Sequence, residues 1–425
     1  MSINSIKRNS KFIRNVGTIF GGVAVARAMS LLAAPIVARL FDPEDFGVAA
    51  LFVTLVVLLA PISTLQYERA IVLPREEIRA FCLIKLAVAI LGVFCAGLFV
   101  TVICLGFSSL HFSWITTLGA WIYGLPPAVA LFGVGKILNS WYVRNKQFRM
   151  LAAMEVIQVI GMVGTRIGAG VLTGSSITGL IFGYLVGVLC RAGVLLKKFP
   201  ITALRRSDRY PALSLRLIAK EYKEFPAYVT SSSLVRILSE SLPVLLLAHL
   251  FSPTVVGFYA LTNRLVKGPA AIAQKSVGET YFQKAAEIAQ QGRSIHSSLA
   301  KTTSALLVMG FPFCVVLMMF GEEVFALLMG SRWTAAGRYA EILAPWFLTL
   351  LLVSPASSVH SVVKKQGLLF RIDIAILIGR GGVFAAAYML GLDPPQTLYL
   401  FMAISVIGDL AVIVQGFVIT RHGSS

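Results

Sequence analysis

Seven of the chain's 38 lysines and arginines fall inside long apolar runs: Arg27, Lys136, Arg166, Arg236, Arg264, Lys267 and Arg380. Each costs roughly 2.5–3.5 kcal/mol at the centre of a membrane helix, so each must face water, pair with an acid or reach toward the surface. Ser233, Arg236 and Glu240 recur at i, i+3 and i+7, which places them on one helix face. Arg264 and Lys267 stand one turn apart and run straight into Gly268-Pro269. Arginine in such a place is suited to an anion, because its planar fork binds phosphate bidentately and keeps its charge. The chemistry these residues point to is anion binding by Arg27, Arg236, Glu240, Arg264, Lys267 and Arg166. The Arg236–Glu240 pair has a second reading, as an ion pair that orients its helix. Lys136, near a span end, reads equally well as a snorkelling side chain. Arg380 and Asp409 lie at similar depth on consecutive antiparallel spans and read as a buried ion pair, with proton or sodium coupling as the alternative.

The elements that carry these residues are set by composition. The chain has 425 residues, of which 57% are hydrophobic and 13% charged, with a mean hydropathy of +0.81. A soluble domain of that length cannot hide so much apolar surface, so lipid is its solvent. Runs of about 20 residues, enough to cross a bilayer as a helix, occur at 16–38, 47–66, 87–106, 118–141, 151–171, 178–196, 225–248, 257–274, 303–320, 340–363, 372–390 and 398–419. The expected fold is an all-α polytopic membrane protein of twelve transmembrane helices.

Charge orients the spans. With the N-terminus cytoplasmic, the inner segments hold 28 of the 38 cations and the outer segments only Arg39, Arg332 and Arg338. That asymmetry obeys the positive-inside rule and puts both termini in the cytoplasm. It also accounts for the net charge of +19 without a nucleic-acid partner. The basic start followed by an apolar run resembles a signal peptide, but the run is too long and contains Arg27, so a retained first helix is expected. The five cysteines have no CxxC spacing and the five histidines no HExxH, so no metal or cofactor is expected.

An internal repeat divides the chain. Residues 38–51 read ARLFDPEDFGVAAL and residues 248–261 read AHLFSPTVVGFYAL, identical at seven of fourteen positions without a gap. Two parallel six-helix lobes follow, 1–196 and 225–425, joined by a basic cytoplasmic linker at 197–224 and related by an axis along the membrane normal. The repeat makes Arg27 and Arg236 near-equivalent. It also sets Pro61, in span 2, opposite Pro269, in span 8. Interrupted helices at matching places in two halves point to a binding site, so the expected cavity is central, basic and lined by spans 1, 2, 7 and 8. Glycines at 179, 183 and 187 form a small-residue ridge for close helix packing.

The segment from Pro35 to Gly47 (PIVARLFDPEDFG), followed by Tyr67 to Pro74 (YERAIVLP), resembles the opening of bacterial polysaccharide flippases. These are the O-antigen (Wzx-type) transporters of the multidrug/oligosaccharidyl-lipid/polysaccharide exporter superfamily. The resemblance implies flipping of undecaprenyl-pyrophosphate-linked oligosaccharide from the cytoplasmic to the periplasmic leaflet of the bacterial inner membrane, driven by a proton or sodium gradient. Membrane lipid and the polysaccharide polymerase and assembly proteins are its implied partners. Tyr67 and Glu68, at the inner end of span 2, are then expected to gate or position the adjoining loop, or to anchor that end at the interface. Two rivals remain. A drug or cation antiporter of the same superfamily calls for an acidic cavity, whereas cations outnumber the clear intramembrane acids Glu155, Glu240 and Asp409. A membrane enzyme acting on lipid-linked sugars needs reactive groups in a sizeable outer loop. The longest outer segment, 321–339, offers only Glu322, Glu323, Arg332 and Arg338.

Overall fold

A computed structural model describes residues 21–107, 113–206, 215–291, 293–363 and 365–422. Lys7, Arg8, Lys11, Arg14, Gly17, Arg209 and Lys364 lie outside the described residues. Helices stand at all twelve expected positions, and among the described residues there is no strand. They are α1 (Gly21–Leu40), α2 (Pro43–Ser63), α3 (Glu77–Phe107), α4 (Leu125–Arg144), α5 (Phe148–Thr173), α6 (Ile177–Lys197) and α7 (Phe225–Leu250). There follow α8 (253–290), α9 (His296–Met329), α10 (Thr334–Val362), α11 (Gln366–Leu390) and α12 (Pro394–His422). Ten of these are long and apolar enough to cross a membrane. The other two, α8 and α11, are the ones diluted by Arg264, Lys267, Glu279 and Lys284 and by Arg371, Asp373 and Arg380.

The repeated phrase folds the same way twice. Phe41-Asp42 links α1 to α2 with Pro43 at the first helical position, and Phe251-Ser252 links α7 to α8 with Pro253 there. Proline suits that position because its missing N–H would be unpaired anyway and its φ is already helical. Phe41 is fully buried and Ser252 caps the Val255 N–H.

The chain forms two compact units, 1–241 and 242–425. The division falls inside α7 rather than in the 197–224 connection. The cause lies in that connection: Leu215–Glu221 packs on α3 and the first turn of α7 packs on Tyr67–Ala70, so both belong to the first unit. Ile218 is buried, the Tyr67 hydroxyl donates to the Ala219 carbonyl at 3.1 Å, and Arg79 meets Glu221 at 3.0 Å.

Within the first unit, α5 and α6 pack along their length through the glycine ridge. A Cβ at Gly187 would come within 2.7 Å of the Gln158 carbonyl oxygen, and one at Gly179 within 2.8 Å of Ala169 Cβ. In the second unit α10 is the hub, packed against α8, α9 and α12. Its Ser354 and Ser358, one turn apart, donate to the Gln274 and Gly278 carbonyls of α8 at 2.7 and 3.0 Å. Small residues and hydroxyls do this work because apolar side chains gain nothing from leaving lipid for one another.

Gly187→Leu is expected to overpack the α5–α6 seam, costing about 1–3 kcal/mol and lowering the thermal midpoint in detergent. Gly193→Leu, where a Cβ meets nothing within 4 Å, is expected to match the wild type.

Candidate functional site

The first unit holds a charged network around a cavity of about 430 Å³. It begins at the end of α2. Beyond Ser63 the backbone takes two successive left-handed residues, Leu65 (φ 49°) and Gln66 (φ 58°). Such residues cost of order 1–3 kcal/mol each and persist where their surroundings over-determine them. They turn the chain so that Glu68 is buried at 1% exposure. Its carboxylate accepts from the Thr64 hydroxyl at 2.6 Å and meets Lys136 of α4 at 2.7 Å. Lys136 therefore ends in an ion pair rather than snorkelling, and Glu68 fixes its position. Pro61 is buried in the last turn of α2, one residue before Ile62 and Ser63 lead into this bend.

Across the cavity Arg191 of α6 gathers three acceptors. It donates to Glu155 at 2.5 Å and Gln158 at 3.0 Å, both on α5, and to Asn139 of α4 at 2.8 Å. Sequence reasoning grouped Arg191 with the cytoplasmic cations although it falls within span 178–196. Its depth beside Glu155 on the preceding span was the signal available. Asn139 and Gln158 carried no such signal, since single amides in apolar runs are common.

The remaining first-unit candidates lie apart from that network. Arg166, expected to face the central cavity, is buried in the α5–α6 seam, where its Nε donates to the Leu180 carbonyl at 3.2 Å and its stem lies against Gly183. Arg27 is exposed on α1. Arg236 and Glu240 meet at 3.3 Å on one face of α7 with side-chain exposures of 62% and 53%. The intrahelical pair forms, and it leaves both groups accessible.

In the second unit α8 is interrupted where its cations lie. Residues 263–267 form a wide i→i+5 turn that contains Arg264 and Lys267, and Pro269 sits at the start of the helix that resumes. Proline cannot donate to the carbonyl four residues back, and the wide turn absorbs that loss. Arg264 and Lys267 are both half-buried. Lys267 sits 5.2 Å from the centre of the Trp346 ring of α10, and the Arg380 guanidinium of α11 lies at the same distance from Trp346 and from Phe401. Arg380 Nε donates to Ser405 at 3.1 Å, one turn before Asp409 on α12. Asp409 accepts from the Thr349 hydroxyl at 2.9 Å and feels the charges of Arg380, Lys267 and Asp373. Lys267 and Arg380 thus share the Trp346 ring, and Arg380 reaches α12 one turn from Asp409.

The family model described as "Polysaccharide biosynthesis protein" matches residues 36–338. Among curated relatives, the teichuronic acid biosynthesis protein TuaB of Bacillus subtilis (strain 168) is 25% identical over 43% of this chain and 38% of its own length. The succinoglycan biosynthesis transport protein ExoT of Rhizobium meliloti (strain 1021) is 23% identical over 84% of this chain and 70% of its own length. The lipopolysaccharide biosynthesis protein WzxC of Escherichia coli (strain K12) is 21% identical over 81% and 69%. Among solved structures, the lipid II flippase MurJ in an inward closed conformation superposes with a TM-score of 0.72 at 12% identity, over 95% of this chain and 90% of that one. An inward-facing multidrug resistance MATE transporter gives 0.64 at 12% identity, over 93% and 94%. These likenesses establish the fold.

Lys136→Met is expected to leave Glu68 buried and uncompensated, destabilising the protein by about 3–5 kcal/mol. Adding Glu68→Gln is expected to recover most of that loss in thermal unfolding in detergent. Independent, additive losses would contradict a coupled pair.

The match over 71% of the chain shows that the chain belongs to the family described as polysaccharide biosynthesis protein.

Proposed function

We propose that the chain flips undecaprenyl-pyrophosphate-linked oligosaccharide from the cytoplasmic to the periplasmic leaflet of the bacterial inner membrane. The family match supports lipid-linked glycan export in general. The observation that carries the finer reading is the set of accessible or half-buried cations at membrane depth: Arg27 and Arg236 in the first unit, Arg264 and Lys267 in the second. A pyrophosphate supplies the negative charge such groups need, and its sugars ask for none. Arg264 and Lys267 project from the wide turn of α8, a deformation suited to holding side chains against a ligand and to bending during transport. A drug-antiporter reading has the fold behind it, but the cationic excess disfavours cationic drugs.

Coupling to a proton or sodium gradient is assigned to Asp409. It is a buried acid tied to Thr349, and the charge of Lys267, three residues from Arg264, acts on it. A change in the charge of Asp409 would therefore be felt beside the substrate cations.

The test is translocation of lipid-linked oligosaccharide by the purified protein in liposomes, with and without a pH or sodium gradient. Arg27→Ala and Arg264→Ala are each expected to lower the rate tenfold or more while leaving folded protein in the membrane. Normal transport by both variants would sink the anion reading. Asp409→Asn is expected to retain substrate binding and lose its response to the gradient; a full response would remove Asp409 from coupling.

A further inference from the structure

The cavity inside the first unit is not needed to explain pyrophosphate binding, and its chemistry differs from that of the accessible cations. Its charged side chains are paired: Glu68 with Lys136 and Glu155 with Arg191. Arg69 is the one further charged group in its lining. The remaining lining is uncharged: Asn139, Ser140 and Gln158 are polar, Phe132 is aromatic, and Gly135 and Val188 complete it. Lys136 lies eight residues inside the end of α4 and Glu155 seven residues inside the start of α5. At 1.5 Å per residue both are about 10–12 Å from their helix ends. At that depth amides and paired charges that border a void call for water or a polar ligand.

The size and the hydrogen-bonding pattern favour a ligand. About 430 Å³ falls within the roughly 300–1,000 Å³ of small-molecule sites. Arg191 is held by three acceptors on two helices, so the polar groups are fixed in place before anything binds. Asn139 and Gln158 accept from Arg191 through their oxygens. Among the described residues their NH2 groups have no hydrogen-bond partner. Fixed amide donors, a carboxylate acceptor and an aromatic face are what a ring of hydroxyls with apolar C–H faces requires. A second pyrophosphate site would call for a cluster of unpaired cations, whereas four of the five charged groups in this lining are held in ion pairs and only Arg69 stands outside them. A purely structural network would close around its hydrogen bonds. Here Gly135 faces open space instead, with nothing within 4 Å of a Cβ built on it.

We infer that this cavity is a glycan subsite, holding a sugar residue through Asn139, Gln158, Arg191 and Glu155 against Phe132. The inference deepens the flippase reading and rests on it for the source of the sugar, but the binding chemistry can be measured by itself. Full-length protein in lipid nanodiscs would be titrated with free glucose, galactose and glucuronate and followed by ligand-observed NMR. Wild type is expected to bind at least one of the three. Gly135→Leu fills the cavity from a position with room for a side chain, and it is expected to weaken that binding tenfold or more. Gln158→Leu removes one amide without adding bulk and is expected to weaken it as well. Gly193→Leu, an exposed site on α6, is expected to bind like wild type. Undecaprenyl pyrophosphate without sugars would be titrated in parallel, and its affinity is expected to be unchanged by Gly135→Leu. No binding of any sugar by wild type, or unaltered sugar binding in both cavity variants, overturns the subsite. Failure of wild type to bind the sugar-free lipid would count against the flippase reading alone, since the sugar titration does not depend on it.

Discussion

A charge at bilayer depth has to be answered by an opposite charge, by water or by a ligand, and most of this molecule's polar architecture follows from that requirement. An unpaired charge taken from water into a medium of low dielectric costs several kcal/mol even after the surroundings relax. Lys136 meets the requirement through Glu68, and Arg191 through Glu155 with two amides added. The left-handed pair Leu65-Gln66 is explicable in the same terms. It brings Glu68 into reach of α4, and the buried ion pair with its Thr64 hydrogen bond helps hold that strained bend.

The two units meet the requirement with different means. The first uses carboxylates and amides, and its network borders an open cavity. The second surrounds its cations with aromatic faces, Trp346 beneath both Lys267 and Arg380 and Phe401 beside Arg380. A ring face stabilises a cation while keeping the surroundings apolar. The first arrangement leaves polar groups along a void, and the second packs its cations against aromatic rings.

The fold was largely legible because its determinants are one-dimensional. Apolar length sets a span, and each of the twelve apolar runs contains a helix. The ARLFDPEDFG and AHLFSPTVVG phrases carry the proline that starts α2 and α8. Even the interruption of α8 was marked, by Gly268-Pro269 after two cations. The site was legible only where a helical repeat brings partners together, as at Arg236 and Glu240. Glu68 and Lys136 belong to different elements, and nothing in either apolar run reveals which rotation each helix adopts. Arg166 shows the same limit: its depth could be read, but the seam it enters is fixed by how closely Gly183 lets α5 and α6 approach. Arg191 was obscured by its place near a span end, where position in sequence does not separate an interfacial cation from a buried one.

The duplication explains why Arg166 and Arg380 have related settings and different consequences. Each lies on the fifth helix of its half and donates its Nε to the sixth, Arg166 to the Leu180 carbonyl of α6 and Arg380 to the Ser405 hydroxyl of α12. An arginine crossing the seam between the last two helices is thus common to both halves. What differs is what the sixth helix offers one turn further on. Ser405 is followed by Asp409, and Thr349 of α10 fixes that carboxylate from the other side. Leu180 is followed by Tyr184, a phenol in place of a carboxylate. The crossing arginine is therefore a packing element in the first half. In the second it shares its surroundings with an acid whose charge is also felt by the cation next to the interrupted turn of α8. The halves therefore differ at this crossing in what the sixth helix places one turn beyond the arginine's acceptor: an acid on α12 and a tyrosine on α6.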